Sequence, residues 1–134
     1  MRRYRPALAA LVALLPLAAA SPSWAEGDPA KGEKVFGRCK TCHEVAKQQN
    51  KIGPHLVGVV GRKAGAVEGF KYSDPMKNAG VTWDEATLGQ YLKDPKGFIP
   101  GNKMAFVGIK DNAELADLLV YLRKLADTPA PLPQ

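Results

Sequence analysis

Only two cysteines and two histidines occur in the 134 residues, and each scarcity excludes a class of chemistry. A structural zinc site takes four ligands, and Cys39, Cys42, His43 and His55 are the whole supply of thiols and imidazoles. With no second Cys-x-x-Cys and no spaced histidine pair, a zinc module is disfavoured. No strand-rich segment precedes Cys39, which argues against a thioredoxin-like redox pair set in a βαβ unit. A disulfide between Cys39 and Cys42 would close a very small loop and gain little chain entropy. Large apolar side chains are scarce as well. After Ala25, Val, Ile, Leu and Phe make up about a quarter of the chain, near the composition at which a core fails. There is no internal repeat and no sign of a second domain.

What is present is concentrated in five residues, Cys39-Lys40-Thr41-Cys42-His43. Cys-x-x-Cys-His is the attachment signature of a c-type haem. Two thiols so spaced can each form a thioether to one porphyrin, and the following histidine is held where a neutral imidazole nitrogen can ligate the iron. A bound porphyrin would supply the apolar surface that the composition lacks, so chain without haem is expected to be poorly ordered.

The N-terminus reads as an export signal. Arg2, Arg3 and Arg5 form a basic region, Ala7 to Ala20 an apolar run too short to span a bilayer comfortably, and Ser23-Trp24-Ala25 a small-x-small cleavage site. Residues 1–25 are therefore expected to be removed and 26–134 to form one domain. The formal charge of +6 includes those three arginines. Without them, sixteen basic residues face thirteen acidic ones, a net +3. That is unlike a strongly basic nucleic-acid binder and suits transient docking on an acidic partner.

Asp28-Pro29 predicts a capped first helix running to about Arg38. Gly32 lies inside it, where either a close helix crossing or simple tolerance accounts for a glycine. The glycines between 53 and 65 predict loops rather than a sheet. Ser73-Asp74-Pro75 opens a short helix that stops near Gly80. Thr82 and Glu85 form a capping-box pattern for a helix ending before Pro95. Lys96 to Gly108 lacks periodicity. Asp111 and Glu114 resemble a second capping box, and Leu115, Leu118, Leu119, Leu122 and Leu125 give a firm amphipathic helix. Thr128-Pro129 should end it, with 128–134 a frayed tail. The architecture is thus mainly α, a few helices separated by long loops, and loops of that length imply that something other than secondary structure fills the space beneath them.

A haem iron held by His43 needs a sixth ligand or stays open for chemistry, and Met76, Met104 and His55 are the candidates. Met76 sits in a short helix that limits its approach. Met104 lies in an irregular loop free to fold over the haem. The Pro54 carbonyl can accept the second ring N–H of a ligating histidine.

The assembled residues resemble the class I cytochromes c over about Glu26 to Asp127. The resemblance rests on Gly32-x-x-x-Phe36, the haem motif, Gly53-Pro54-x-Leu56-x-Gly58, Gly61-Arg62-Lys63-x-Gly65 and Gly69-Phe70-x-Tyr72-Ser73. It continues through Trp83, Tyr91-Leu92-x-Asp94-Pro95-Lys96 and Ile99-Pro100-Gly101-Asn102-Lys103-Met104. It implies the cytochrome c fold wrapped around one covalently bound haem c, with Cys39 and Cys42 as anchors and His43 and Met104 as axial ligands. It further implies that Pro54 orients His43, that Arg62, Tyr72 and Trp83 bind a buried propionate, and that Tyr91 lies behind the methionine sulfur. His55 and Asn102 depart from the asparagine and threonine frequent at those places, and Met76 stands where relatives are often polar.

With both axial positions filled, the implied function is a single-electron carrier rather than an enzyme. The expected setting is the periplasm, as a monomer shuttling between membrane redox complexes. A cytochrome bc complex would be one of these, and a terminal oxidase, reaction centre or reductase the other. The docking face would include Arg38, Lys40, Lys51, Lys96 and Lys103.

Overall fold

A computed structural model describes residues 27–126; the leader at 1–25 and the tail at 128–134 read from the sequence lie outside the described residues. Five helices follow one another: α1 (Pro29–Phe36), α2 (Asp74–Lys77), α3 (Glu85–Lys93), α4 (Pro95–Phe98) and α5 (Asn112–Ala126). Among the described residues, extended pairing is confined to one antiparallel bridge between Lys63 and Thr82. The mainly helical reading holds.

The frame of the molecule is the crossing of α1 and α5. Leu115, Leu118, Leu119 and Leu122 of α5 are at most 3% exposed and pack with Val35 and Phe36 of α1. Each fully buried side chain of this size contributes about 1.5–3 kcal/mol by leaving water. Gly32 resolves the alternatives posed above in favour of a close crossing. A Cβ at Gly32 would collide with the Asp117 carbonyl and the Tyr121 Cβ, and one at Gly27 with the Ala116 backbone. Asp28 caps α1 by accepting from the Ala30 N–H at 2.8 Å. Its own N–H donates to Asp117 Oδ1 at 2.7 Å, which ties that cap to α5.

Four local expectations need correction. The α-helix of α1 ends at Phe36, two residues early, but helical turns carry the chain on: Cys39 and Lys40 donate to Phe36 O, and Cys42 and His43 to Cys39 O. The cap of α3 is Asp84, not Thr82. Asp84 Oδ1 accepts from the Thr87 N–H at 2.8 Å, and Thr87 Oγ1 accepts from the Asp84 N–H at 2.9 Å. Thr82 is drawn into the bridge with Lys63, which takes it out of capping position. Within the stretch read as aperiodic, Pro95–Phe98 forms α4, capped by Asp94; four residues are too few to show a period. At α5, the Glu114 N–H does donate to Asp111 Oδ1 at 2.9 Å. The Glu114 carboxylate, however, turns away to Arg38, so the reciprocal half of that capping box is missing.

Candidate cofactor site

The helical turns that continue α1 set Cys39, Cys42 and His43 at i, i+3 and i+4, on one face. That face borders a cavity of about 380 Å³, within the range of sites for small molecules and cofactors (about 300–1,000 Å³). Phe36, Leu88, Leu118 and Leu122 make part of its apolar lining. The exposed Arg38, Ile52 and Lys103 stand at its rim.

His43 is held on two sides. Its Nδ1 lies 2.7 Å from Pro54 O. A carbonyl can only accept, so Nδ1 carries the proton and Nε2 keeps its lone pair for a metal. Burial holds the imidazole below its usual pKa, the Pro54 bond opposes this, and Lys51 and Arg62 add to the lowering. The neutral, ligating form is therefore favoured. Gly53 lies so close to the ring that a Cβ there would strike the His43 Cε1. The loop that delivers Pro54 is fastened beneath the cysteines: Gly53 N–H donates to Cys42 O at 2.8 Å, Leu56 N–H to Glu44 O at 2.7 Å, and Lys51 Nζ to Lys40 O at 2.7 Å. Both cysteines are free thiols, and burial raises the Cys39 pKa against the lowering influence of Arg38.

Arg62 poses a different problem. Its Nη1 donates to Val57 O at 3.1 Å and its Nη2 to His55 O at 3.0 Å, while Nε is buried with no partner. Burial lowers its pKa, and Tyr72 partly offsets that. Among the described residues no carboxylate pairs with this guanidinium. A buried cation is costly unless an anion meets it. Tyr72, whose oxygen accepts from the Val67 N–H at 3.2 Å, and Trp83 line the same cavity. The backbone assembles this corner: Trp83 N–H donates to Arg62 O at 2.8 Å, and Gly61 N–H to Trp83 O at 2.6 Å. The donor set thus suits a planar group bearing both a metal and a carboxylate. His55 does not line the cavity; its Nδ1 is buried without a partner.

Met104 borders the cavity with its sulfur 3.8 Å from the Tyr91 hydroxyl, which donates to it. Tyr91 is wedged between Trp83 (ring centroids 5.0 Å apart) and Phe98 (6.3 Å), and burial pushes its phenol up to about 12. Met76 is buried and also lines the cavity.

All the residues expected to hold the cofactor therefore border one cavity, Pro54 among them, although its carbonyl acts through His43. The expected docking residues are exposed but not alike. Arg38 forms a double hydrogen bond with Glu114 (2.8 Å each), Lys51 is bonded to Lys40 O, and Lys96 Nζ to Asn102 O. The sequence reading did not anticipate the Arg38–Glu114 pair or the tight seat of Asn102; both join residues on different elements.

Comparison with known proteins agrees with this geometry. The family model for cytochrome c matches residues 29–126. The chain is 56% identical over 91 residues to cytochrome c2 iso-2 of Magnetospirillum fulvum, covering 68% of this chain and 95% of that protein. It is 52% identical over 101 residues to cytochrome c2 of Rhodomicrobium vannielii, covering 75% and 81%. Among solved structures, cytochrome cH from Methylobacterium extorquens superimposes with a TM-score of 0.69 at 49% identity, covering 73% of this chain and 99% of that one. The family implies a covalently bound haem c, and both cysteines needed for it are present. The chain belongs to the cytochrome c family, as a class I cytochrome c, an electron carrier rather than an enzyme.

Proposed function

We propose that the protein carries one haem c, anchored by Cys39 and Cys42 with His43 and Met104 as axial ligands, and shuttles single electrons between membrane redox complexes in the periplasm. The observation that carries this reading is one cavity bordered by both thiols, an imidazole with its Nδ1 proton on Pro54, and a thioether under a phenol. The haem supplies the one-electron couple. The protein's residues bury it, orient its ligands and set its charge environment.

His43 offers Nε2 because Pro54 occupies the other nitrogen, and Gly53, with no Cβ, leaves room for the ring beside it. As a ligand, the Met104 thioether would favour reduced iron and so raise the potential relative to two imidazoles. Tyr91 steadies that sulfur. Arg62, Tyr72 and Trp83 receive a propionate, whose charge answers the unpaired guanidinium.

The donor is a cytochrome bc complex, and the acceptor an oxidase, reaction centre or reductase. The leader directs export and is removed by cleavage after Ala25, and the monomer meets partners through Arg38, Lys40, Lys51, Lys96 and Lys103. Among the described residues no helix is long and apolar enough to cross a membrane. Charge steers such encounters, so the rate with the partner should fall steeply with added salt; a salt-independent rate overturns the steering. The ligand assignment is tested by optical redox titration of the purified haem protein. The ferric form should show the methionine–iron band near the red end of the spectrum, and the ferrous form should not take up carbon monoxide at neutral pH. A missing band with ready carbon monoxide uptake would point to an open iron position instead.

A further inference from the structure

Asn102 is a polar side chain only 4% exposed, and its amide is used at both ends. Its Nδ2 donates to Pro95 O at 2.7 Å and to Ile99 O at 2.8 Å, the carbonyls of α4 and its C-terminal flank. Its Oδ1 accepts from the Met104 N–H at 2.9 Å. The backbone adds a bond from the Asn102 N–H to Ile99 O, and Lys96 Nζ donates to Asn102 O. Pro95 is itself buried, and Asp94 fixes the start of the same short helix by accepting from the Gly97 N–H at 3.1 Å.

We infer that Asn102 is a positioning residue, a pin that fastens the Met104 backbone to α4 and so sets how readily the thioether leaves the iron. The inference rests on the reading of Met104 as an axial ligand. The amide suits this post because it alone among short side chains offers two N–H donors and a carbonyl acceptor. A hydroxyl at 102 could serve one carbonyl. A carboxylate would set its oxygens against two carbonyl oxygens, and a leucine would leave the Met104 N–H without its partner and remove one donor from each of the Pro95 and Ile99 carbonyls, which keep only a backbone bond. Tyr91 holds the sulfur end of Met104 and Asn102 the backbone end, so the two controls on the ligand are separate. Loosening the second should let the sulfur swing away without disturbing the haem anchors.

The test uses the haem-loaded protein with Asn102→Thr and Asn102→Leu, beside Leu119→Val, buried in α5 away from the cavity lining, as a control matched for loss of global stability. Imidazole is added to the ferric form, and its rate of binding reports how often Met104 vacates the iron. Losing a buried hydrogen bond should speed this by roughly tenfold in Asn102→Thr and by more in Asn102→Leu. The methionine–iron band should weaken in the same order, while Leu119→Val leaves both readouts unchanged. If Asn102→Leu does not fold, the threonine variant and amide hydrogen exchange at Met104 carry the test. Equal imidazole rates in the Asn102 variants and in Leu119→Val would overturn the inference. A wild-type protein lacking the band altogether would instead overturn the ligand assignment beneath it.

Discussion

The α1–α5 corner and the loop-built wall of the cavity are held together in different ways. In the corner, apolar side chains meet face to face, and Gly27 and Gly32 bring two backbones into contact. In the wall, the fastenings are side chains bonded to backbone carbonyls: His43 to Pro54, Arg62 to Val57 and His55, Lys51 to Lys40, and Asn102 to Pro95 and Ile99. Burial of apolar surface stabilises in proportion to area, whereas each intramolecular hydrogen bond adds only about 0.5–1.5 kcal/mol net. The corner draws chiefly on its own packing, although Phe36, Leu118 and Leu122 also face the cavity. The wall encloses a cavity lined largely by apolar and aromatic side chains, and depends on what fills it.

The largest effect expected from this contrast comes from removing both anchors. Cys39→Ala with Cys42→Ala should leave a chain without a cooperative thermal transition, its amide protection lost first over the cavity loops. A sharp transition in that haem-free protein would erase the distinction between the two regions. Next comes damage to the corner. Leu119→Ala should cost about 2–5 kcal/mol, and Gly32→Ala about 1–3 kcal/mol by overpacking. Both should lower the denaturant midpoint and leave the visible spectrum of the folded protein alone.

A change confined to the wall should do the reverse. Tyr91→Phe removes the donor to Met104 Sδ, which leaves the sulfur a better donor to ferric iron. The reduction potential should fall by up to about 60 mV, the one-electron equivalent of a single hydrogen bond, with little change in denaturant midpoint. An unchanged or raised potential would break that assignment. The smallest effect belongs to Asp84. The backbone bond from Thr87, followed by its side-chain bond, holds this carboxyl below its usual range. A depressed folded pKa means stability that is present above the unfolded value, near about pH 4, and lost as pH falls through the folded one. The deficit of Asp84→Ala in thermal melting should accordingly be seen at neutral pH and shrink in acid; a deficit constant with pH would remove the charge from the cap.

How far these regions could be read in the sequence follows from the range of the forces involved. The cap at Asp28, the leucine period of α5 and the short α2 are local patterns, and each appears where it was expected. Gly32 was ambiguous because the reason for it is the Asp117 carbonyl, far along the chain. Thr82 looked like a cap until the bridge to Lys63 took it elsewhere. The Pro54 carbonyl was legible because it sits eleven residues from His43 within one fastened loop. Arg38 read as a docking charge, and only the fold shows that Glu114, 76 residues on, already pairs with it. Asn102 looked like a departure from its relatives, and its three partners are visible only once α4 has formed.

The bond from the Asp28 N–H to Asp117 spans 89 residues and so imposes an order on assembly. A chain made from its N-terminus cannot complete the α1–α5 corner until Asp117 has been synthesised. By then Cys39 and Cys42 have long since emerged. The two thiols thus precede the helix that will lock their turn in place, which leaves an interval, built into the topology, for attachment chemistry on a chain that is not yet closed.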